Sequence, residues 1–517
     1  GEVYIAQQNW QNYKVRKIAA PFPGFSGDDI AISSEDGGML YRFDRYGRHL
    51  STVNATTGAT FYSFTYNTLG RLSQIQDGDG NVTVIEYDAN NKPSAIVSPY
   101  GQRTVLAVDA NGYISSITNP AGEARLMSYT SDGLITSMTD PRGYVYVMGY
   151  DGYGRLTRED DPAGGFQTLS RTDGSNNYTV SVSSASGLTT GHYVEEQGPD
   201  KEWRIITEPS GMQTKMLTDA GTRKEYWPDG TITTVQPGPD PRFGMLAPIT
   251  KSMTVATPGG LISTTTGSRA VTLTNPDDPL SLTGITDTVT INGRAYTSVY
   301  SSSTKTTTNT APSGRKTYTT IDAQGRVISE QTAGLDATSF AYDTRGRLSS
   351  FTQGTGASAR AYSLSYDTNG NVLNIADPLS RTIGFEYDGA GRVTREALPD
   401  NRNINYAYDA SGNITSITPP GRAGHTFNYT AVDLEGSYTA PYTGASSNST
   451  AYAYNLDRKL TLITRPDGQT VSFGYDTAGR LSTTTLPGGA VSYSYAPATG
   501  NLSSITAPDG GALSYGY

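Results

Sequence analysis

Residues 385–393 read Phe-Glu-Tyr-Asp-Gly-Ala-Gly-Arg-Val, and the frame Tyr-Asp-x-x-Gly-Arg recurs at Tyr150-Asp151, Tyr342-Asp343 and Tyr475-Asp476. An Asp that opens such a tetrad can hold the backbone two residues on, two permissive residues fill a type I turn, and the closing Gly takes the left-handed conformation of a bulge between antiparallel strands. The stretch is therefore one end of a β-hairpin.

Working outward, the same turn signal stands at Asn67–Gly70, Asp88–Asn91, Asp109–Gly112, Thr130–Gly133 and Asp151–Gly154, and the residues just before it are Tyr66, Tyr87, Val108, Tyr129 and Tyr150, spaced 21 apart. Later copies open at Asp322, Asp343, Asp367, Asp388, Asp409 and Asp476. Asn91 suits the Gly position because Asn tolerates the left-handed region. Arg458, which ends Asn455-Leu-Asp-Arg458, suits it poorly, and an irregular turn is expected there.

A second turn falls midway, with Gly80, Gly101, Gly122, Gly143 and Gly164 in step and Asx-Pro-x-Gly as its main form, as in Asn119–Gly122, Asp140–Gly143 and Asp161–Gly164. Pro presets the turn and Gly closes it. One period is turn, strand, turn, strand. Before the Asp turn, apolar residues alternate, as in Tyr362, Leu364 and Tyr366 or Ile404, Tyr406 and Tyr408, so one face carries rings and the other Ser, Thr, Gly and Asn. Rings beside rings on neighbouring strands are expected to supply the core.

The chain reads as lead-in strands over 1–40, a repeat array over 41–165, degenerate or elaborated hairpins over 166–320, and a second array over 321–517 that is expected to continue past Tyr517. An inserted loop is expected near Tyr438 to Thr450. Two strands per period give roughly fifty strands, far beyond the ten or so that an open twisted sheet sustains, so the sheet must wrap. The predicted fold is all-β, tandem hairpins spiralled into part of a hollow shell. A β-propeller is the alternative, because two periods approach one four-stranded blade.

Composition agrees. Among 517 residues are 36 Tyr, 58 Gly and 27 Pro, the ingredients of strands and tight turns. A net charge of −9 opposes nucleic-acid binding, which rests on clustered Lys and Arg. No cysteine is present, and His49, His192 and His425 are the only histidines, so neither disulfides nor a thiolate or His-rich metal site is expected. No stretch has the length of a membrane-spanning helix. Gly1 opens no signal peptide, and the start reads as the inside of a longer precursor.

The units Tyr150–Leu156, Tyr342–Leu348, Tyr387–Val393 and Tyr475–Leu481 resemble the YD repeat of the Rhs family, with related arrays in insecticidal toxin-complex components and in teneurins. The resemblance covers residues 41–165 and 320–517. It implies a hollow shell that, in bacterial relatives, encloses a C-terminal toxin effector and, in teneurins, supports adhesion. The expected partner is therefore the chain's own effector or another polypeptide cargo, with glycans or a cell-surface receptor as alternatives, and the expected location is secreted or on a bacterial cell surface. Bacterial relatives usually close the array with an Rhs core motif that carries an aspartyl cleavage element; the sequence stops at Tyr517, where a Tyr-Asp turn would be due, so no cleavage residue is assigned.

The repeat residues singled out are Tyr66, Tyr87, Tyr150, Asp151, Gly154, Arg155, Tyr342, Asp343, Gly346, Arg347, Tyr387, Asp388, Gly391, Arg392, Tyr475, Asp476, Gly479 and Arg480, in structural roles. Each Arg after the turn Gly is expected to pair with the Asp of its own or a neighbouring turn. Asp77, Asp79 and Asn81 alternate like calcium ligands, but Val82 stands where a calcium loop needs Gly, and the segment coincides with a repeat turn. Glu159, Asp160 and Asp161 could mimic a glycosidase pair, but Asp161 opens a Pro turn. No cofactor, metal or catalytic residue is expected, and the protein is read as no enzyme.

Overall fold

The computed structural model describes residues 3–9, 12–18, 29–442 and 447–517, with side chains from residue 30 onward. Strands Val3–Asn9 and Asn12–Ile18 pair as a separate hairpin. From Asp29–Ser33 to Ala512–Ser514 the chain is a single antiparallel meander in which each strand pairs with its neighbours in sequence. Among the described residues no ladder joins the first strand of this meander to the last, and the only helical element is the three-residue turn Gly356–Ser358. A continuous ribbon of this kind has no blades, which removes the propeller.

Each turn follows from the tetrad chemistry. At Asp388 the carboxylate Oδ1 accepts from the amides of Ala390 and Arg392 at 2.9 and 3.0 Å, Gly391 N–H donates to the Asp388 carbonyl, and Asp388 N–H to the Arg392 carbonyl. Gly391 has φ +81, and the register shifts between Glu386 and Tyr387 as the bulge requires. The Arg458 turn corrects the sequence reading. Arg458 adopts φ +61, and Asn455 forms the same two backbone bonds as its Gly-bearing counterparts, because paired strands on both sides hold the conformation against its modest cost.

Through 166–320 the chain is again strand and turn, but the strands lengthen, to 13 residues in Gly244–Ala256 and 12 in Ile262–Leu273. The loop expected near 438–450 lies between the paired strands Glu435–Thr439 and Ser449–Tyr454; residues 443–446 fall outside the described residues.

The expectation of a tyrosine core does not survive. The repeat tyrosines are half-buried, and the buried hydrophobic cluster is instead Ala31, Leu40, Val53, Ala55, Phe243 and Ala247. The reason is that the sheet is one layer with water on both faces. The chain exposes 29,344 Å², whereas a compact monomer of 55.1 kDa would expose about 18,000 Å².

Candidate functional site

The ribbon has two edges. One carries the Tyr-Asp turns and the other the Pro-type turns, and the ribbon coils until the Tyr-Asp edge of its second lap meets the Pro edge of its first. From the Asp77–Gly80 turn to the Asp343–Gly346 turn it passes 23 strands, Val82–Tyr87 to Thr338–Tyr342. At about 4.8 Å per strand a lap measures about 110 Å around, which makes a tube about 35 Å across with a bore of about 25 Å inside the side chains.

The seam between laps is polar and specific. Asn81 Nδ2 donates to the Arg345 carbonyl at 3.0 Å and Gln102 Nε2 to the Asn369 carbonyl at 2.6 Å, across 264 and 267 residues. Arg326 pairs with Asp79 and Arg392 with Glu123, each at 2.7 Å. Arg345 and Arg347 lie over the Tyr100 ring, and a Cβ on Gly389 would stand 3.1 Å from the Ala121 Cα. Arg142, only 13% exposed, donates to the Thr430 carbonyl at 2.8 Å and to Asp433 at 2.7 Å, and lies near Asp140 and Asp409.

Along the seam the partners drift. Ser411 meets Asp140 across 271 residues, whereas Arg142 reaches Asp433 across 291 and Arg458 reaches Asp161 across 297. Between the last two turns the ribbon passes 25 strands, Phe166–Asp173 to Ser449–Tyr454.

The repeat residues supply the parts that meet there. Arg155, Arg347, Arg392 and Arg480 each donate through Nε to the Asp four residues earlier, Asp151, Asp343, Asp388 and Asp476, at 2.6 to 2.9 Å. Three of these arginines also lie over the Tyr of the next unit, Arg347 on Tyr366, Arg392 on Tyr408 and Arg480 on Tyr495, while Arg155 lies over Tyr153 of its own turn. Burial pushes the Asp343, Asp388 and Asp476 carboxyls up, but the bonds from the following arginines reverse this and leave all three below the ordinary carboxylate value. Gly154, Gly346 and Gly479 share the left-handed backbone of Gly391.

The hydroxyls of the repeat tyrosines do work that their spacing did not disclose. Tyr87, Tyr150, Tyr342, Tyr387 and Tyr475 donate to the carbonyls of Leu72, Ile135, Val327, Val372 and Leu460, each fifteen residues earlier, at 2.7 to 2.8 Å. Tyr66 reaches the His49 carbonyl at 2.9 Å. Leu72 lies beyond the last paired rung to the next strand, Gln74 with Val84, so the hydroxyl satisfies a carbonyl the ladder leaves open.

The other candidates separate. Asp77 accepts from the Asp79 and Asn81 amides, and Asp79 is held by Arg326. Asp160 pairs with Arg158, and Asp161 with Arg458. Glu159 lines a seam cavity of ≈ 550 Å³ together with Asp161, Asp457, Arg458 and Lys459. His49 is stacked between Phe43 and Phe64, His425 contacts the Tyr438 hydroxyl, and His192 is exposed. No group of three His, Cys, Asp or Glu side chains suited to a metal occurs among the described residues.

Against known proteins, residues 27–515 match the family model described as Teneurin YD-shell. Teneurin-m of Drosophila melanogaster is 36% identical over 98 residues, 18% of this chain and 4% of that protein. Teneurin-4 of Mus musculus is 33% identical over 100 residues, again 4% of its length. The matched stretches are thus small parts of much longer relatives. Among solved structures, the Tc holotoxin pore of Photorhabdus luminescens is similar over 98% of this chain and 29% of that one, at 13% identity and a TM-score of 0.44, and TcdB2-TccC3 covers 98% of this chain and 38% of that one at 13% identity and a TM-score of 0.36.

Proposed function

The chain belongs to the Teneurin YD-shell family, and from that premise we propose that its wall encloses a polypeptide cargo and carries out no chemistry of its own. The observation that carries this reading is the polar seam, which locks a single-layer ribbon edge to edge around a bore. Such a wall spends its residues on enclosing space. An extended chain or a single helix, about 10 to 12 Å wide, fits the bore, whereas a folded small domain about 30 Å across does not. The cargo is therefore unfolded or only locally helical, and a toxin effector held in that state is the cargo proposed. A secreted or cell-surface location suits this role.

The test extends the chain after Tyr517 with an unstructured, protease-sensitive peptide and follows its cleavage. Protection relative to the free peptide is expected; cleavage at the free rate overturns enclosure. A second reading, adhesion through the outside of the shell, is supported by Tyr46 and Tyr153, 70% and 86% exposed on the Tyr-Asp edge. Retained cell or glycan binding that is lost on replacing these rings would favour it.

A further inference from the structure

The hairpin of Ile232–Asp240 and Gly244–Ala256 leaves the ribbon along its distal half. Ile232 to Val235 pair with the strand before it and Ser252 to Ala256 with the strand after it, but between Gln236 and Lys251 the two strands pair only with each other. Pro237, Pro239, Pro241 and Pro248 stand in this stretch and offer no N–H to a neighbouring strand, which keeps the arm out of the sheet. It passes the strand Ile262–Leu273 at Gly267, where a Cβ would collide with the Thr250 carbonyl. Its tip lands on the first strands of the meander. Arg242 donates to the Ala55 carbonyl at 2.5 Å and to the Gly37 carbonyl at 3.4 Å, and Phe243 and Ala247 complete the buried cluster with Ala31, Leu40, Val53 and Ala55. Asp240, 2% exposed, accepts from the Arg242 and Phe243 amides and from Arg269, which also grips Asp287 at 2.7 and 3.0 Å.

We propose that residues 236–251 are a releasable strap that fastens the wall where its seam begins. Reach is the first support. The turn that meets Asn54 across the seam is Asp322–Gly325, 23 strands on, whereas the tip reaches Ala55 after 17 strands, Thr60–Tyr66 to Ile232–Asp240. The strap thus bridges six strands, about 29 Å of ribbon, and Gln236 to Arg242 extend about 23 Å before the Arg242 side chain is added. Second, the strap can let go without unzipping a sheet, because among the described residues no ladder joins it to the first strands; side-chain packing and one guanidinium hold it there. Third, that guanidinium is incompletely satisfied. Arg242 is 8% exposed, and its Nε is buried with no hydrogen-bond partner among the described residues, which works against the closed state. The inference concerns the wall and stands whether or not a cargo is enclosed.

The chain has no cysteine, so an introduced pair can lock the strap. A Cβ on Gly37 would stand 3.4 Å from the Ala247 Cβ, close to the spacing of about 3.5 to 4.5 Å in disulfides. The experiment compares the Gly37→Cys, Ala247→Cys double variant, oxidised and reduced, with Arg242→Met by limited proteolysis of the full chain and fragment mapping. In Arg242→Met, cleavage is expected to rise several-fold in the strap and in turns 54–58 and 322–325, and to keep the parent rate in turn 140–143. Oxidation of the cysteine pair is expected to lower cleavage at 54–58 and 322–325 relative to the reduced form, in which the strain of a side chain at Gly37, φ +68, is the same. Equal cleavage of 322–325 in the oxidised and reduced forms overturns the proposal, whether or not Arg242→Met folds. So does a rise confined to the strap in Arg242→Met, since the arm would then be a flap that fastens nothing.

Discussion

Replacing Arg142 with Ala tests the seam at its most connected point. The guanidinium makes two short bonds to the second lap, to the Thr430 carbonyl and to Asp433. Asp433 is 43% exposed, so that pair counts as a surface pair of about 0 to 1 kcal/mol. The bond to the Thr430 carbonyl, with a charged donor, is in the range of about 1.5 to 3 kcal/mol. Asp140 is 5% exposed, yet it keeps the amides of Arg142 and Tyr144, so it forfeits only part of the cost of an unpaired buried charge. The two bonds together give about 1.5 to 4 kcal/mol of seam closure, or roughly 10- to 700-fold in the open population. Because units in such an array are held mainly by their neighbours, the loss stays local. The assay is native-state proteolysis with fragment mapping, which follows the open population when opening is fast. Cleavage should rise within about that range in turns 140–143 and 430–433, and not elsewhere. The reasoning is refuted if cleavage rises no more than in Arg125→Ala, which alters an exposed arginine.

Two further outcomes are expected. Tyr387→Phe removes the hydroxyl bond to the Val372 carbonyl and should lower stability by about 1 kcal/mol in chemical denaturation, whereas Tyr153→Phe, at a ring 86% exposed, should change nothing; equal effects would remove the role given to the repeat hydroxyls. The turn carboxyls of Asp343, Asp388 and Asp476 sit below their ordinary value of 3.8 in the folded chain. Their contribution is therefore complete above that value and drains as the pH falls through the lower folded one, so thermal stability should be flat from about pH 8 to about pH 5 and fall below about pH 4. Asp388→Asn should be less stable than the parent at neutral pH and converge with it in acid; an unchanged gap in acid would refute the linkage.

The hairpins were legible because their turns are local. Asp388 to Gly391 encode a bulge within four residues, and a 21-residue step repeats it. Arg458 misled because sequence preference for the left-handed region is weak beside two flanking ladders that impose it. The seam was not legible at all. Arg392 and Glu123 lie 269 residues apart, and nothing in either segment announces the other, since which turns meet depends on the summed length of every strand between. The tyrosine hydroxyls were missed for a related reason: alternation shows on which face a ring lies but not that a carbonyl fifteen residues back lacks a partner.

The drift of seam partners from 23 strands per lap to 25 carries a geometric consequence. Two extra strands add about 10 Å of circumference, or about 3 Å of diameter, while one lap of six-residue strands rises about 20 Å. The wall is thus a funnel of very shallow taper. At about 3 Å per lap, winding toward the narrow end would need about eight further laps to close a bore of about 25 Å, so a short lid over the bore must be built by some element other than another lap of hairpins.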